Sequence, residues 1–382
     1  MKTKNLNDNV FYFLISILTL AVIFLFLLSM SLQGEIVNKD KPEKGTGNFN
    51  MKELWQVSEG GENPFGNIRS ILISEDGILC CLDDKLNQMF LYDKDGKFLK
   101  GFSKKGEGPG EIKLFRQAGL LNAGKFIAVR DSDRIHYFNW EGEYLESFPN
   151  PRPRAPILFL SRYVFITAPQ NILAAPKGIA EVKKVNLKTG EESLITKFSM
   201  YKGGTIANRN SQASIIANGL TPMFELGLYK DRLYYGVSDK YRIEISNMNG
   251  KALSGFGVTR EKSKVTEEEK VRPILQGAKG LAPEELLRTL AKKLPNEETY
   301  FVDIQSHNGQ IWIFVTDWKR GPSKQIDIFS PDGNYLYRRF VKIDPEESIT
   351  SGLIVHGDSM YLVIRDAEDE FRVAKYSIDL PK

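Results

Sequence analysis

The stretch that decides the fold runs from Ile71 to Phe102 and reads ILISEDGILCCLDDKLNQMFLYDKDGKFLKGF. Apolar runs alternate with short polar turns, in the order strand, tight turn, strand, Asp-containing turn, strand, x-x-Gly turn, and a last strand that ends in Phe. Glycine and aspartate supply the backbone conformations that such turns require. The stretch therefore predicts a four-stranded antiparallel sheet.

The same pattern returns along the chain. Gly96 and Gly142 occupy the same turn of successive copies, and Phe102 and Phe148 end the same strand. Further copies cover 120–148, 226–256 and 304–340, and a weaker one covers 158–198. Repetition of this kind indicates a repeat architecture, because a single such sheet cannot bury both of its faces.

The last copy, 352–378, stops after its third strand, and the sequence ELWQV (53–57) stands alone before the first full copy. Pairing these two ends closes a ring and removes an exposed sheet edge. The sequence thus predicts an all-β fold over 52–380, a six-bladed β-propeller of four-stranded antiparallel blades closed by an N-terminal strand. A β-sandwich would not need so regular a module, and a solenoid would need capping repeats.

The amino terminus carries a membrane signal. Val10 to Met30 reads VFYFLISILTLAVIFLFLLSM without a charged residue. This is close to the ~20 apolar residues that span a bilayer as a helix and longer than the ~7–15 of a secretory core. We predict a short cytoplasmic segment (1–9), a transmembrane signal-anchor (10–32) and a flexible polar linker (33–51). A cleaved signal peptide is the alternative.

The two faces of the predicted ring differ. We label the strands of each blade a to d from the axis outward. The a–b and c–d turns then share one face, the turn face, and the b–c loops and d–a crossings share the other, the loop face. All long connections fall on the loop face: 58–67, 103–116, 167–178, 199–223, 257–300 and 316–324. Because long loops usually carry function, the loop face is the predicted functional face.

The crossing 257–300 is predicted to contain a helical insertion at about 261–295. Thr266 and Glu269 have the spacing of a capping box. A second helix follows, with one apolar stripe made of Leu286, Leu287, Leu290 and Leu294. The insertion either lies across the mouth of the ring or packs on the side of two blades.

The candidate site residues on the loop face are charged. Arginines there are candidates for an anionic ligand, with salt bridges to nearby acids as the alternative; they are Arg69, Arg116, Arg130 and Arg162. Aspartates at the b–c turns are candidates for a Ca²⁺ site, with capping of their own turns as the alternative; they are Asp83, Asp131, Asp239, Asp317 and Asp366. Asp131 and Asp317 are also candidates for ligand binding.

The loop GEGPGE comprises Gly106, Glu107, Gly108, Pro109, Gly110 and Glu111. Its consecutive N–H groups are able to form an anion-binding nest. The alternative is a rigid strut between blades, in which Glu107 and Glu111 hold neighbouring backbone.

Two stretches resemble known proteins. DSDRIHYFNWEGEYLESF (131–148) is similar to an NHL-type blade, and KGEGPGEI (105–112) resembles the inter-blade loop of bacterial six-bladed propeller proteins that are exported and often lipid-anchored. The resemblance implies this fold and an exported protein. Together with the predicted signal-anchor, it leads us to expect an inner-membrane, single-pass protein with its propeller on the periplasmic or extracellular side. This chain lacks the cysteine of a lipid-attachment site, so the helix would be its anchor. Secretion after signal cleavage is the alternative location.

The charged residues, histidines and cysteines limit the functions that the sequence predicts. Charges are mixed, which argues against nucleic acid as a partner. The histidines fall in different copies and predict neither a zinc site nor a triad; they are His136, His307 and His356. The adjacent Cys80 and Cys81 are predicted to be free thiols, one of them buried.

These observations favour a membrane-tethered, monomeric, non-enzymatic propeller, without a cofactor, that binds an unknown ligand or protein on its loop face. The alternative is a metal-dependent hydrolase or lyase, lactonase-like, with Ca²⁺ held by carboxylates at the channel mouth. A third possibility is a scaffold without a small ligand.

Overall fold

The computed structural model describes residues 35–152, 155–169, 179–199, 206–207, 214–215, 219–277, 283–317 and 322–381. The predicted membrane span, residues 10–32, lies outside this set. No helix within the described ranges is long and apolar enough to cross a bilayer.

Six antiparallel sheets follow one another along the chain. Before the first sheet come β1 (Ile36–Lys39), β2 (Thr46–Asn48), β3 (Met51–Val57), β4 (Glu59–Gly60) and β5 (Asn63–Pro64). Blade 1 contains β6 (Ile68–Ile73), β7 (Leu79–Asp83), β8 (Gln88–Tyr92) and β9 (Phe98–Phe102). Blade 2 contains β10 (Gly119–Asn122), β11 (Ile127–Arg130), β12 (Arg134–Phe138) and β13 (Tyr144–Pro149). Blade 3 contains β14 (Ile157–Ser161), β15 (Val164–Thr167), β16 (Ile179–Asn186) and β17 (Glu192–Ser199).

The second half of the chain repeats this order after a short hairpin, β18 (Ile206–Ala207) and β19 (Ser214–Ile215). Blade 4 contains β20 (Phe224–Tyr229), β21 (Arg232–Val237), β22 (Arg242–Asn247) and β23 (Ala252–Thr259). Blade 5 contains β24 (Phe301–His307), β25 (Gln310–Val315), β26 (Ser323–Phe329) and β27 (Tyr335–Lys342). Blade 6 contains β28 (Ser348–His356), β29 (Ser359–Arg365) and β30 (Phe371–Ile378). Helices α1 (Glu267–Gly277) and α2 (Glu284–Lys292) lie between blades 4 and 5, and a 3₁₀ turn covers Phe115–Gln117.

The ring closes as the sequence predicted. Strand β3 pairs antiparallel with β30, with Trp55 opposite Lys375, and so becomes the outermost strand of blade 6. Neighbouring innermost strands contact each other, and β28 of blade 6 contacts β6 of blade 1. The prediction of a six-bladed propeller with four-stranded antiparallel blades is therefore confirmed.

Each blade is buried on both of its faces. Cys80 belongs to the apolar cluster between blades 1 and 2, and Cys81 belongs to the cluster between blades 1 and 6. Both are free thiols and both are fully buried, so the prediction that only one would be buried was wrong. The reason is that successive residues of a strand point to opposite faces, and here both faces are covered.

A recurring contact joins four of the six pairs of neighbouring blades. There the glycine of a c–d turn has a positive φ, and the outermost strand of the preceding blade packs directly onto it. A Cβ added at any of these four glycines would clash with that strand, at the distances given in parentheses. The pairs are Gly96 with Trp55 (2.9 Å), Gly142 with Phe102 (2.9 Å), Gly250 with the carbonyl of Ile195 (1.6 Å) and Gly333 with Phe256 (2.5 Å). These glycines are needed for their conformation and also for the closeness of the neighbouring blade.

This contact predicts unequal effects for two matched substitutions. Gly142 and Gly190 occupy the same turn position with φ of +73° and +74°, but only Gly142 has a neighbour within 4 Å. Gly190→Ala should cost about 1 kcal/mol from backbone strain, whereas Gly142→Ala should cost about 1–3 kcal/mol more, from overpacking against Phe102. Denaturant unfolding of both variants checks this. Equal destabilisation would mean that the inter-blade contact has no role.

The segment predicted as a flexible linker is instead built into the fold from residue 36 onward. Strand β1 adds in parallel to the outer strand of blade 4, and β2 adds in parallel to the outer strand of blade 5. We call residues 36–48 the N-terminal strap. Asn38 links the two blades, because its Nδ2 donates to the carbonyl oxygens of Gly257 (3.1 Å) and Gly333 (2.9 Å). Main-chain hydrogen bonding, rather than an apolar side-chain pattern, holds the strap, and for this reason its composition resembled a linker.

A charged network fastens the strap. Asp40 accepts hydrogen bonds from Arg260, at 2.8 Å from Nε and 2.6 Å from Nη2, and also from Arg338. Beneath it lies Asp327, which is fully buried and accepts a hydrogen bond from Nη2 of Arg260 at 2.8 Å. Two acids and two arginines thus join the strap to blades 4 and 5.

Removal of the Asp40 carboxylate should release the strap from blades 4 and 5. Asp40→Ala leaves two arginines with one acid, so we expect a loss of about 1.5–3 kcal/mol of stability and faster trypsin cleavage after Lys39 and Lys44. Glu43→Ala is the control, because Glu43 is exposed in the same strap and only its backbone N–H is bonded. Identical cleavage rates in both variants would contradict this function of the network.

The helical insertion was predicted correctly. Glu269 accepts a hydrogen bond from the backbone N–H of Thr266 at 3.0 Å and donates its own N–H to the Thr266 hydroxyl at 3.3 Å, which is the capping box. The two helices share a small apolar core with Leu220, which lies in the crossing into blade 4. The ammonium of buried Lys270 donates to the carbonyl of Leu294 at 3.0 Å and closes the insertion.

Candidate functional site

The aspartates at the b–c turns tie loops together. Asp83 is fully buried. Its carboxylate accepts backbone N–H groups of its own turn, from Lys85 and Leu86, each at 2.9 Å. It also accepts those of the crossing that enters the blade, from Gly66 at 2.7 Å and Asn67 at 3.1 Å. One side chain thus anchors two loops of the loop face.

Asp131 does the same in blade 2. It accepts the N–H groups of Asp133 at 2.9 Å and Arg134 at 2.8 Å in its own turn, and that of Lys113 at 3.3 Å in the incoming crossing. The imidazole Nε2 of buried His136 lies 3.5 Å from its Oδ2. Burial would raise the pKa of Asp131, but the nearby imidazole of His136 and the hydrogen bonds from the turn N–H groups outweigh it and lower the pKa to about 2.

The other aspartates have separate partners. Asp317 pairs with the Lys324 ammonium at 2.9 Å. Asp366 accepts two N–H groups of its own turn. Burial raises the pKa of Asp239. Within the described ranges, no three His, Cys, Asp or Glu side chains are grouped as metal ligands. The predicted ring of carboxylates at the channel mouth is therefore not formed by these residues, which serve their own loops instead.

Asp131 gives a pH-dependent prediction. Because folding depresses its pKa, its charge stabilises the protein above the ordinary aspartate pKa of about 3.9, and this contribution is lost as pH falls toward about 2. Asp131→Asn should therefore lower the free energy of unfolding at pH 5–7, and the difference from wild type should shrink below pH 4. Asp76→Asn, at an exposed turn position, is the control. Urea titrations at several pH values check this, and a pH-independent difference would contradict it.

The space inside the GEGPGE loop is filled by the side chain of Glu111, one of its own residues. The Glu111 carboxylate accepts the N–H of Gly108 at 2.9 Å and pairs with Lys104 at 3.3 Å. These two contacts lower its pKa, the first more than the second. A Cβ on Gly106 would lie 1.9 Å from the same carboxylate, so a side chain there would displace Glu111 from the loop. Glu107 pairs with the Lys113 ammonium at 3.4 Å. This geometry favours a strut over a site for an external anion.

Three of the predicted arginines come together on the loop face. Arg69 lies in the innermost strand of blade 1; its Nε donates to the carbonyl of Ala118 at 2.9 Å, and its Nη1 lies 4.0 Å from Asp84. Burial lowers the pKa of Arg69, Asp84 opposes this, and the positive charge of Arg116 lowers it further. Arg69 and Arg116 are therefore close enough to repel each other.

Arg130 extends this group. Its guanidinium donates to the carbonyl of Ala155, and its pKa is lowered by burial and by the charge of Arg69. Across the described part of the chain, neither Arg116 nor Arg130 has a carboxylate within ion-pair distance. We call Arg69, Arg116 and Arg130 the arginine cluster. It places excess positive charge at the loop-face end of blades 1 and 2.

Arg162 lies apart from the arginine cluster, at the end of an innermost strand but on the opposite face of the ring. It occupies the a–b turn of blade 3 on the turn face, where it pairs with Glu146 at 2.5 Å and covers the ring of Phe126. The repeat is weakest in blade 3, so the turn could not be aligned from sequence. Asp317, at the b–c loop of blade 5, is also outside the arginine cluster.

Two acids at the inner wall were missed. Glu225 is the second residue of β20 and Asp303 is the third residue of β24, near the loop-face end of the innermost strands of blades 4 and 5. Both are half-buried. The sequence did offer a sign of them. In FELGLY and FVDIQSH an acidic residue stands near the start of an a strand, and in a propeller the a strands border the channel.

Comparisons with known proteins agree with the fold. A protein-family model described as a 6-bladed β-propeller matches residues 60–216. Together with the six sheets and their closure, this defines the class: the chain is a six-bladed β-propeller. The likeness of 131–148 to NHL-type blades stays a prediction. No curated relative matches the chain in sequence.

Solved structures show similar architecture. A member of the DUF4221 family from Bacteroides vulgatus superposes with a TM-score of 0.54 at 12% identity, over 87% of this chain and 98% of that one. A Bacteroides fragilis protein gives 0.49 at 12% identity, over 91% and 99%. Virginiamycin B lyase from Staphylococcus aureus gives 0.43 at 12% identity, over 87% and 100%. At such identities the likeness concerns the fold alone.

Proposed function

We propose that this propeller is a binding protein whose loop face takes an anionic ligand at the arginine cluster. The observation that carries the proposal is the accumulation of three guanidinium groups at the loop-face end of blades 1 and 2, where Arg69 and Arg130 donate to the carbonyls of two neighbouring crossings. The charge of Arg116 lowers the pKa of Arg69, and the charge of Arg69 lowers the pKa of Arg130. Because like charges held together are unfavourable, an anion that screens them gains affinity. Arginine also offers paired donors that suit carboxylate and phosphate groups.

The contacts of the loop-face aspartates favour a binding role over an enzymatic one. The carboxylates proposed for a metal-dependent reaction bond their own turns or a neighbouring lysine, as in Asp83 and Asp317. The histidines lie in separate places: His136 is buried beside Asp131, whereas His307 packs against Trp312 near the turn face. No observation in the described residues favours the lactonase-like alternative.

We further propose that residues 10–32 anchor the chain in a bacterial membrane, with the propeller on the periplasmic or extracellular side. The charge-free run Val10–Met30 supports an anchor. The strap adds an argument about orientation, because Glu35 lies at the outer edge of blade 4, where it pairs with Arg242 at 2.9 Å. A tether from that rim would leave the loop face accessible.

The arginine cluster is tested by calorimetric titration with inorganic phosphate and with succinate. The double variant Arg69→Gln/Arg130→Gln should bind the better anion at least tenfold more weakly than wild type, because a hydrogen bond to a charged group contributes about 1.5–3 kcal/mol. The control Arg232→Gln/Arg288→Gln removes two exposed, salt-bridged arginines outside the cluster.

Two outcomes would contradict the proposal. One is the absence of binding of either anion to wild type. The other is equal affinity in the two double variants, which would mean that the anion responds only to net charge.

A further inference from the structure

The acids of blades 4 and 5 lie close together at the inner wall. Gly227 of β20 contacts Ile304 of β24 so closely that a Cβ on it would lie 2.7 Å from the Ile304 side chain. Glu225 and Asp303 stand beside this contact, each at the loop-face end of its strand. Adjacent blades therefore bring two carboxyl groups to one part of the channel wall.

These carboxyl groups have no basic partner among the residues that the structure describes. Asp303 accepts hydrogen bonds from neutral groups, the amide of Gln305 at 2.6 Å and the N–H of Ile304 at 2.8 Å. Glu225 has no ion pair. Burial raises its pKa well above the usual range, and the charge of Asp303 adds to this. Two half-buried acids without a counter-cation favour either a proton or a basic ligand group.

The acid pair lies across the ring from the arginine cluster. In a ring of six blades, blade 4 stands opposite blade 1 and blade 5 stands opposite blade 2. Arg69 is the second residue of its innermost strand, as Glu225 is of its own. Arg69 and Glu225 therefore lie at a similar depth on opposite sides of the ring, with the rest of the arginine cluster and Asp303 beside them. The channel mouth carries opposite charges on its two sides.

We propose that the ligand of this mouth is a zwitterion of the amino acid or peptide class, with an oxyanion held by the arginine cluster and an ammonium group held by Glu225 and Asp303. This inference rests on the proposed function and deepens it. An ammonium supplies the counter-charge that both acids lack, and complementary charge at both ends fixes the direction in which the ligand lies. A ligand with only an anionic end would leave the acid pair uncompensated.

The test compares straight-chain ω-amino carboxylates, from 4-aminobutanoate to 8-aminooctanoate, with the monocarboxylates of equal length. Wild type should bind the best amino carboxylate about tenfold or more tightly than its matched monocarboxylate, because only the former reaches both sides. In Glu225→Gln/Asp303→Asn this preference should fall close to one, while the affinity for the monocarboxylate is retained. Glu244→Gln, an acid that pairs with Arg242 on an outer strand, is the control.

The outcomes separate this inference from the proposed function. If the arginine double variant loses anion binding but the amine preference is absent or unchanged in the acid double variant, the zwitterion inference is wrong and the anion site stands. If the arginine double variant binds every probe as wild type does, both are wrong. Calcium chloride alone, titrated into wild type, is the last arm. Binding of Ca²⁺ that disappears in Glu225→Gln would identify a metal site and overturn the inference.

Discussion

The ring depends on a contact, made at four of its six blade junctions, between the outermost strand of one blade and the c–d turn of the next. A blade is a sheet whose two faces are both apolar, so it is stable only if each neighbour approaches closely. The turn glycine makes this approach possible because it has no Cβ, and its positive φ turns the chain back at the same point. The closing blade uses the same contact, since Trp55 packs on Gly96 and its indole N–H donates to the carbonyl of Lys94 at 2.9 Å.

This contact also limits variation on the turn face. Four of the c–d turns are occupied by the preceding blade and therefore have little freedom to vary. The loop face carries the long crossings, and there the buried aspartates Asp83 and Asp131 fix the loops by accepting their N–H groups. Loops fixed in this way hold charged side chains in definite positions without using them for packing. Arg116 lies in one of these crossings, whereas Arg69, Arg130 and the acid pair are placed by the ends of their strands.

The N-terminal strap shows that the outer rim is also used. Two segments of the strap add to the outer edges of blades 4 and 5 before the chain enters blade 6 as β3. The polar edges of these two blades are thereby covered, which reduces the risk of pairing with another chain. Asp40 and Asp327 connect the strap to both blades through Arg260. A tether at residue 35 would therefore pull on blade 4 and not on the closing strand.

The sequence by itself determined the repeat, the number of blades, the closing strand and the difference between the two faces, because each follows from periodicity and turn chemistry that act over a few residues. It also determined the capping box of α1, which is local. It could not reveal that Glu111 occupies its own nest, that the polar strap pairs with distant strands, or that Arg162 lies on the turn face. Only the tertiary structure decided these points, and it alone brought Glu225 beside Asp303 and placed the blades of both across the ring from those of the arginine cluster. Residues far apart in sequence come to lie beside or across from one another only when the ring closes, and only then do their charges act on the same region of the surface.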